Sequence, residues 1–325
     1  MLLGELELHS LSDGFFALDG GAMFGVVPRV FWQKTNPPDD RNRITLALRP
    51  LLVKTPEALV LIESGIGDKQ DEKFQGIYRV EHKTNLRTSL AAAGFQPEQV
   101  THLVHTHLHF DHCGGATKRS STDSTDAESA SSAKSADTQN RIVPTFPNAQ
   151  FCVQEKEWQM ALNPDIRSRA SYLPENYIAY QETGQLRLLK GDCEVTPGVR
   201  VILTGGHTAG HQVVVIERPE GTVPRKKRGQ SASRDNPHFC ALGQSPRASK
   251  AIYWGDLIPT CSHINVPYVM GYDTMPLQTM EWKEKLLKQA LAEDWLMFFE
   301  HDPELACARL GFEQGKYVCV REEGE

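Results

Sequence analysis

The chain has 325 residues, with 35 Lys and Arg against 41 Asp and Glu, for a formal net charge of −6. An acidic balance argues against a broad nucleic-acid surface. A hydrophobic content of 40% is ample for a core, yet nowhere do about eighteen apolar residues run together as a membrane span requires.

The N-terminus, Met1 to Leu8, alternates apolar and polar like a strand. It lacks the basic n-region and continuous apolar core of a signal peptide. Residues 1–18 and 44–63 read as strands with turns between them. Between them, 19–40 is rich in Gly, Pro and aromatic residues and ends in Asn36-Pro37-Pro38-Asp39-Asp40. It is too apolar for an ordinary solvated loop. Phe15, Phe16, Phe24, Phe31 and Trp32 are expected to pack on the body, to close a substrate pocket or to bury against a second subunit.

Asn85 to Ala93 reads as a helix stopped by Gly94, and Pro97 starts a further turn. Val100 to Thr106 is then a strand, in which His102 and His105 read as structural histidines. Residues 120–140 hold seven Ser, three Thr and four acids with no aromatic. Such a segment buries too little apolar surface to offset its ordering entropy, so it reads as a flexible insertion. Gln154 to Leu162 suits a helix with Trp158 buried, ended by Asn163-Pro164. Arg167 to Tyr180, with Tyr172, Tyr177 and Tyr180, is expected to cover part of a pocket.

Val213–Glu217 and Ala251–Trp254 read as one hairpin split by a second insertion, 222–250. That insertion carries seven Lys or Arg against one acid, Asp235, so the remainder of the chain carries −12. Its run Arg225 to Arg228 reads as a solvated charge cluster. Glu281 to Glu293 is an amphipathic helix, with Trp282, Leu286 and Ala290 or Leu287 on one face and Lys283, Glu284 and Lys288 opposite. Trp295 to Phe299 is a buried strand. The seven cysteines, at 113, 152, 193, 240, 261, 307 and 319, include no CxxC pair. They read as neither a disulfide framework nor a thiolate zinc site, which suits a reducing compartment and a cytoplasmic location.

The chemistry gathers in His107-Leu108-His109-Phe110-Asp111-His112, followed by Cys113-Gly114-Gly115. Imidazole nitrogen and carboxylate oxygen suit zinc, iron, manganese or cobalt. In an extended or turning backbone alternate residues share a face, so His107 and His109 can grip one ion while Asp111 and His112 turn toward a second. Three other apolar runs end in Gly- or Pro-flanked ligand types. These are Thr204 to His211 (with His207), Tyr253-Trp254-Gly255-Asp256, and Phe298-Phe299-Glu300-His301-Asp302-Pro303. This pattern suits ligands carried on loops at one edge of a rigid sheet.

These residues resemble the metallo-β-lactamase superfamily of hydrolases. The HxHxDH motif is His107, His109, Asp111 and His112, and the later ligands are His207, Asp256 and His301. The resemblance covers nearly the whole chain. It implies a single α+β domain over 1–325, a four-layer αβ/βα sandwich with 120–140 and 222–250 as insertions. It also implies one ion on His107, His109 and His207, another on Asp111, His112 and His301, and Asp256 bridging both. Zinc is the expected metal.

A closer likeness is to the branch of N-acyl-homoserine lactonases and methyl parathion hydrolase, through Asp19 to Pro28 and Gly255-Asp256-Leu257-Ile258-Pro259. That likeness implies a hydroxide shared by two ions, attacking the carbonyl of a small ester-like substrate, a lactone of the N-acyl-homoserine type. Phosphotriesterase, thioesterase and β-lactamase chemistry are the alternatives. Diiron oxidoreductases of this fold carry a carboxylate where His109 stands. Asp111 is expected to relay a proton as well as bind metal, and His211 to orient a ligand. Lactonases of this group often hold a tyrosine where Pro259 stands; His263, Tyr268 and Tyr272 are candidates to replace it, with Phe24 beside them in the pocket. Cys113 and Cys261 flank the pocket without a catalytic role. A homodimer through 19–40 is expected, with no membrane or nucleic-acid partner.

Overall fold

The apolar alternation of the two chain halves resolves into two sheets packed face to face. The structure is a computed structural model that describes residues 1–120, 141–218 and 248–321. The first half forms β1 (Leu2–Leu3), β2 (Leu6–Ser10), β3 (Phe15–Asp19), β4 (Arg43–Ala47), β5 (Leu51–Lys54), β6 (Leu59–Ile62), β7 (His102–Val104), β8 (Thr117–Arg119), β9 (Ile142–Pro144), β10 (Gln150–Gln154) and β11 (Leu186–Leu189). The second forms β12 (Cys193–Thr196), β13 (Val199–Leu203), β14 (Gln212–Glu217), β15 (Lys250–Tyr253), β16 (Leu296–Phe298), β17 (Cys307–Glu313) and β18 (Lys316–Val320). One sheet runs β1-β2-β5-β6-β7-β10-β11, and the other runs β12 to β18 in chain order.

Eight α-helical segments are found among the described residues: α1 (Gly20–Phe24), α2 (Arg29–Trp32), α3 (Glu72–Tyr78), α4 (Leu86–Ala92), α5 (Phe110–Cys113), α6 (Glu155–Leu162), α7 (Ile178–Glu182) and α8 (Pro276–Ala292). The sheets' central strands are apolar on both faces because both faces are covered. Val60, Ile62, Val104, Val201, Val214 and Ile216 meet between the sheets. Leu61, Leu103 and Phe151 point the other way, onto Leu90 of α4 and Trp158 of α6. Val213, Val215 and Met297 pack on Leu286, Leu287 and Ala290 of α8. The order is therefore helix, sheet, sheet, helix, the expected four layers. Each such large side chain, fully buried, contributes about 1.5–3 kcal/mol.

The α4 boundary follows its signals. The Asn85 side chain accepts from Thr88 N in a reciprocal capping box, and Gly94 lies just beyond at φ +87°. The strand expected over Val100 to Thr106 is shorter, His102–Val104, since the chain leaves the sheet early to form the histidine-rich turn. The two insertions, 120–140 and 222–250, lie outside the described residues except for 120 and 248–250. The expected hairpin between their flanks is present: Val214 pairs with Tyr253 and Glu217 with Lys250, antiparallel. Lys250 is thus a strand residue rather than part of the insertion.

Two expectations are corrected. The last helix begins at Pro276, an N1 proline with φ already suited to a helix. On it Lys283, expected on the polar face, is fully buried. Its ammonium donates to the carbonyls of His263 (2.6 Å), Asn265 (2.9 Å) and Tyr268 (2.7 Å), which satisfies all three of its protons. The cysteines also differ from their reading, because Cys261 and Cys319 form a disulfide across 58 residues of sequence. No spacing rule connects two such positions. Cys113, Cys152 and Cys193 are free thiols. No helix among the described residues is long and apolar enough to cross a membrane.

Candidate metal centre

Four strand ends deliver side chains to one edge of the sandwich. After β7 come His107, His109, Asp111 and His112; after β13, His207; after β15, Asp256; and after β16, His301. The turn after β7 has few main-chain partners of its own, so buried carboxylates hold it. Glu63 accepts from Thr106 N at 2.8 Å, and Glu157 accepts from Leu108 N at 3.0 Å. The short α5 then turns Asp111 and His112 inward, with Cys113 N bonded to His109 O at 3.1 Å. Gly114 lies so close to Ile66 that a Cβ would sit 2.0 Å from its carbonyl oxygen. Gly255, at φ +51°, lets Asp256 approach. A Cβ there would lie 2.6 Å from Thr106 Oγ1, the atom 3.0 Å from His107 Nδ1.

The structure brings all seven side chains together in two groups. His107, His109, His207 and Asp256 form one, and Asp111, His112 and His301 form the other. Asp256 faces both. Its Oδ2 is 3.2 Å from His207 Nε2 and 3.9 Å from His107 Nε2. Its Oδ1 is 3.4 Å from both His112 Nε2 and His301 Nε2. His207 Nε2 lies 3.1 Å from His109 Nδ1, and His301 Nε2 lies 3.1 Å from His112 Nε2. Asp111 Oδ2 lies 3.6 Å from His301 Nε2 and 3.8 Å from His112 Nε2.

Donors about 2.0–2.2 Å from a tetrahedral ion stand roughly 3.3 Å apart, so this spacing fits two cages of zinc size. His107 Nε2 and Asp256 Oδ1 are buried without a hydrogen-bond partner, as atoms reserved for a ligand are. The donor set contains nitrogen and oxygen only, which suits zinc, iron, manganese or cobalt.

The electrostatics have the same logic. Burial alone raises the Asp256 carboxyl, but His112 and His207 hold it well below the usual carboxylate range. Burial alone lowers His112, but Asp256, Asp111 and Glu63 raise it well above the ordinary histidine value. Burial and neighbouring imidazoles push His107 and His109 well down.

Other expected site residues fall in different places. His211 is buried, with Nδ1 2.8 Å from Thr204 Oγ1 and its ring centroid 5.5 Å from that of His107, beside the cage. His105 Nε2 lies 3.1 Å from Ser64 Oγ, a structural contact. His263 does not face an opening. It is fully buried, with Nδ1 2.7 Å from Thr260 Oγ1 and Nε2 2.9 Å from Met23 O. Its ring stacks on that of Phe24 at 4.3 Å, and Phe24 is equally buried. Both are therefore packing residues, Phe24 as the last residue of α1.

Tyr268 is half-buried, edge-on to Phe24 at 6.4 Å. Tyr272 is 36% exposed, and its phenol is raised by burial and then by Asp111. Tyr172 covers the cage, with its ring centroid 4.9 Å from that of His109 and its hydroxyl bonded to Glu157 at 2.8 Å. Tyr177 and Tyr180 instead donate to Ala161 O and Ala116 O within the core. Of the 19–40 aromatics, Phe24 and Trp32 are buried and Phe31 is 55% exposed.

Sequence reasoning missed the acids that support the cage. Glu157, fully buried, accepts from Leu108 N, Tyr172 and Thr208. Glu63, held at φ +62°, lies 3.6 Å from His112 Nδ1. Glu300 is fully buried with neither oxygen hydrogen-bonded, and burial pushes it up to about 8. Glu157 sits among helix-forming residues with no motif around it. The proximity of Glu300 to His301 was the one signal the sequence offered.

Residues 50–121 match the family model described as the metallo-beta-lactamase superfamily. An N-acyl homoserine lactonase of Bacillus cereus is 25% identical over 187 residues, or 54% of this chain and 60% of the relative's length. A solved structure described as a probable metal-dependent hydrolase from Staphylococcus aureus superposes with a TM-score of 0.78 and 27% identity, covering 99% of each chain. A dizinc quorum-quenching lactonase in complex with a product superposes with a TM-score of 0.69 at 22% identity, covering 100% of this chain and 97% of the other.

Proposed function

We propose that this chain, which carries a metallo-β-lactamase domain in the metallo-β-lactamase fold, is a dinuclear metal-dependent hydrolase of small lactones of the N-acyl-homoserine type. The observation that carries the reading is the division of Asp256, one oxygen toward His107 and His207 and the other toward His112 and His301. A carboxylate so divided suits two ions and a solvent molecule between them. Two divalent ions, zinc first, would polarise the substrate carbonyl and make hydroxide available at neutral pH. The lactonase name of the curated relative supports the substrate class.

The chain's own residues then act around the reacting bond. Asp111, with its side chain 8% exposed, is positioned to carry a proton to the departing alkoxide oxygen. Tyr78 and Phe110, with ring centroids 4.9 Å apart, form an aromatic wall on the Asp111 side. That wall excludes water from the opened ring. Pro259 carries no hydroxyl, and its carbonyl accepts from His301 N at 3.0 Å. Tyr272, partly exposed, supplies the phenol that a substrate carbonyl meets.

Hydrolysis of a panel comprising acyl-homoserine lactones, a phosphotriester, a thioester and a β-lactam by zinc-loaded protein tests the reading. The lactone is expected to lead, with a kcat/KM of at least about 10⁴ M⁻¹s⁻¹. Phosphotriester turnover with inert lactones would reassign the substrate, for which the absent hydroxyl at Pro259 is the argument.

A second copy of the chain covers the 19–40 segment, where Val26 is 85%, Val30 55% and Phe31 55% exposed. Light scattering at micromolar concentration is expected to give twice the chain mass. The chain mass alone would exclude that homodimer.

A further inference from the structure

The strap of chain from Asn265 to Met275 carries Tyr272, and a second of its side chains, Asp273, reaches the cage. We infer that Asp273 is the positioning residue of His207, and that the strap carrying it sets how tightly the first ion position is held. The inference rests on the proposed metal cage.

The five caging imidazoles differ in what their outward nitrogen meets. His107 Nδ1 is 3.0 Å from a hydroxyl, that of Thr106, and His301 Nδ1 is 2.8 Å from the Ala47 carbonyl. His112 Nδ1 is 3.6 Å from Glu63, and His109 Nε2 is buried with no hydrogen-bond partner. Only His207, among the described residues, has a carboxylate at hydrogen-bond distance: Nδ1 to Asp273 Oδ1 is 2.9 Å. The Asp273 side chain is 1% exposed, so the contact is out of water.

An ionised carboxylate only accepts, so His207 Nδ1 carries the proton. Nε2 is then left with its lone pair, directed at the space shared with His109 Nδ1 and Asp256 Oδ2. The carboxylate also makes the imidazole a stronger donor to a metal. Carbonyl or hydroxyl partners, as at His301 and His107, do this less.

The main chain reinforces the side chain. Thr274 N donates to His207 O at 3.0 Å, and Met275 N to Gly206 O at 2.8 Å. Thr274 Oγ1 donates to His207 O at 3.1 Å. Asp273 itself is anchored, since Arg167 donates to its carbonyl at 2.9 Å and Met270 N to its Oδ2 at 3.3 Å. Gly271 N donates to Ala22 O at 2.8 Å, which ties the strap to α1. Lys283 grips the strap's beginning through Asn265 and Tyr268. His207 is therefore held to one segment by side chain and backbone together, and that segment also carries the partly exposed Tyr272.

The test compares the full-length wild type with Asp273→Asn and Asp273→Ala. Zinc affinity is read by competition with a chromogenic chelator, and the visible spectrum is read after cobalt substitution. Asn keeps an acceptor but no charge, and Ala keeps neither. One of the two zinc ions is expected to weaken about 10-fold in Asn and about 100-fold in Ala, with the other unchanged. One cobalt band set is expected to shift. Unfolding of the metal-free proteins by heat separates positioning from scaffolding, because Asn should unfold with the metal-free wild type. Wild-type affinity for both ions in both variants, with unchanged spectra, overturns the inference. A metal-free Asp273→Asn that unfolds early and weakens both ions equally also overturns it, as a structural role would. A wild type that binds no zinc overturns the cage itself. None of these readings depends on which substrate is hydrolysed.

Discussion

Asp256→Ala protein is expected to lose on the order of 10³-fold or more in kcat/KM, beyond the usual loss on removing a single transition-state donor. It is expected to retain at most one ion per chain. The carboxylate stands within 3.9 Å of four caging imidazoles, so its removal takes a ligand from both groups at once. It also removes the negative charge that His112, His207 and His301 face at 3.2–3.4 Å. Elemental analysis and steady-state kinetics on the same preparation check both parts. Two tightly held ions with an undiminished rate would remove the basis for a bridging role.

The second large effect is on stability. Lys283→Met is expected to cost about 3–5 kcal/mol, because a buried methyl group replaces the ammonium that donates to three buried or half-buried carbonyls. Burial pulls the lysine down to about 7, while the three oxygens favour its protonated form. Loss of the proton would leave fewer donors than acceptors. A fall of roughly 10 °C in Tm is expected by calorimetry, at about 2–4 °C per kcal/mol for a chain of this order. A change under 1 °C would mean that water replaces the ammonium and that the strap needs no anchor.

The legible parts of this chain are those where residue type and position carry the same message. Seven ligand-type residues stand after apolar runs or beside Gly and Pro. Each was readable because a histidine or aspartate at the end of a buried strand must be satisfied by something, and two cations would satisfy all seven. Val213 to Glu217 and Ala251 to Trp254 were readable as partners despite the long interval, since both are apolar on both faces. The supporting shell was not legible. Glu157 looks like any helix acid until the fold brings Leu108 and Thr208 to it. Asp273 sits in a loop with ordinary turn composition, 66 residues from the histidine it contacts. Lys283 satisfied the amphipathic pattern as a surface residue. Only the carbonyls converging from 263, 265 and 268 make the buried position favourable. His263 misled for the opposite reason: a histidine close to the bridging Asp looks functional, while Thr260, Met23 and Phe24 claim its whole ring.

The ladder between β14 and β15 joins stretches that no short turn connects, Val214 with Tyr253 and Glu217 with Lys250. A break in the polypeptide between residues 219 and 247 would sever no rung of it. It would, however, divide the cage, with His107, His109, Asp111, His112 and His207 on one fragment and Asp256 and His301 on the other. Neither fragment alone could then bridge two cations. Metal uptake would become a reporter of fragment reassembly, which makes this strand pair a natural place to build a split version of the protein.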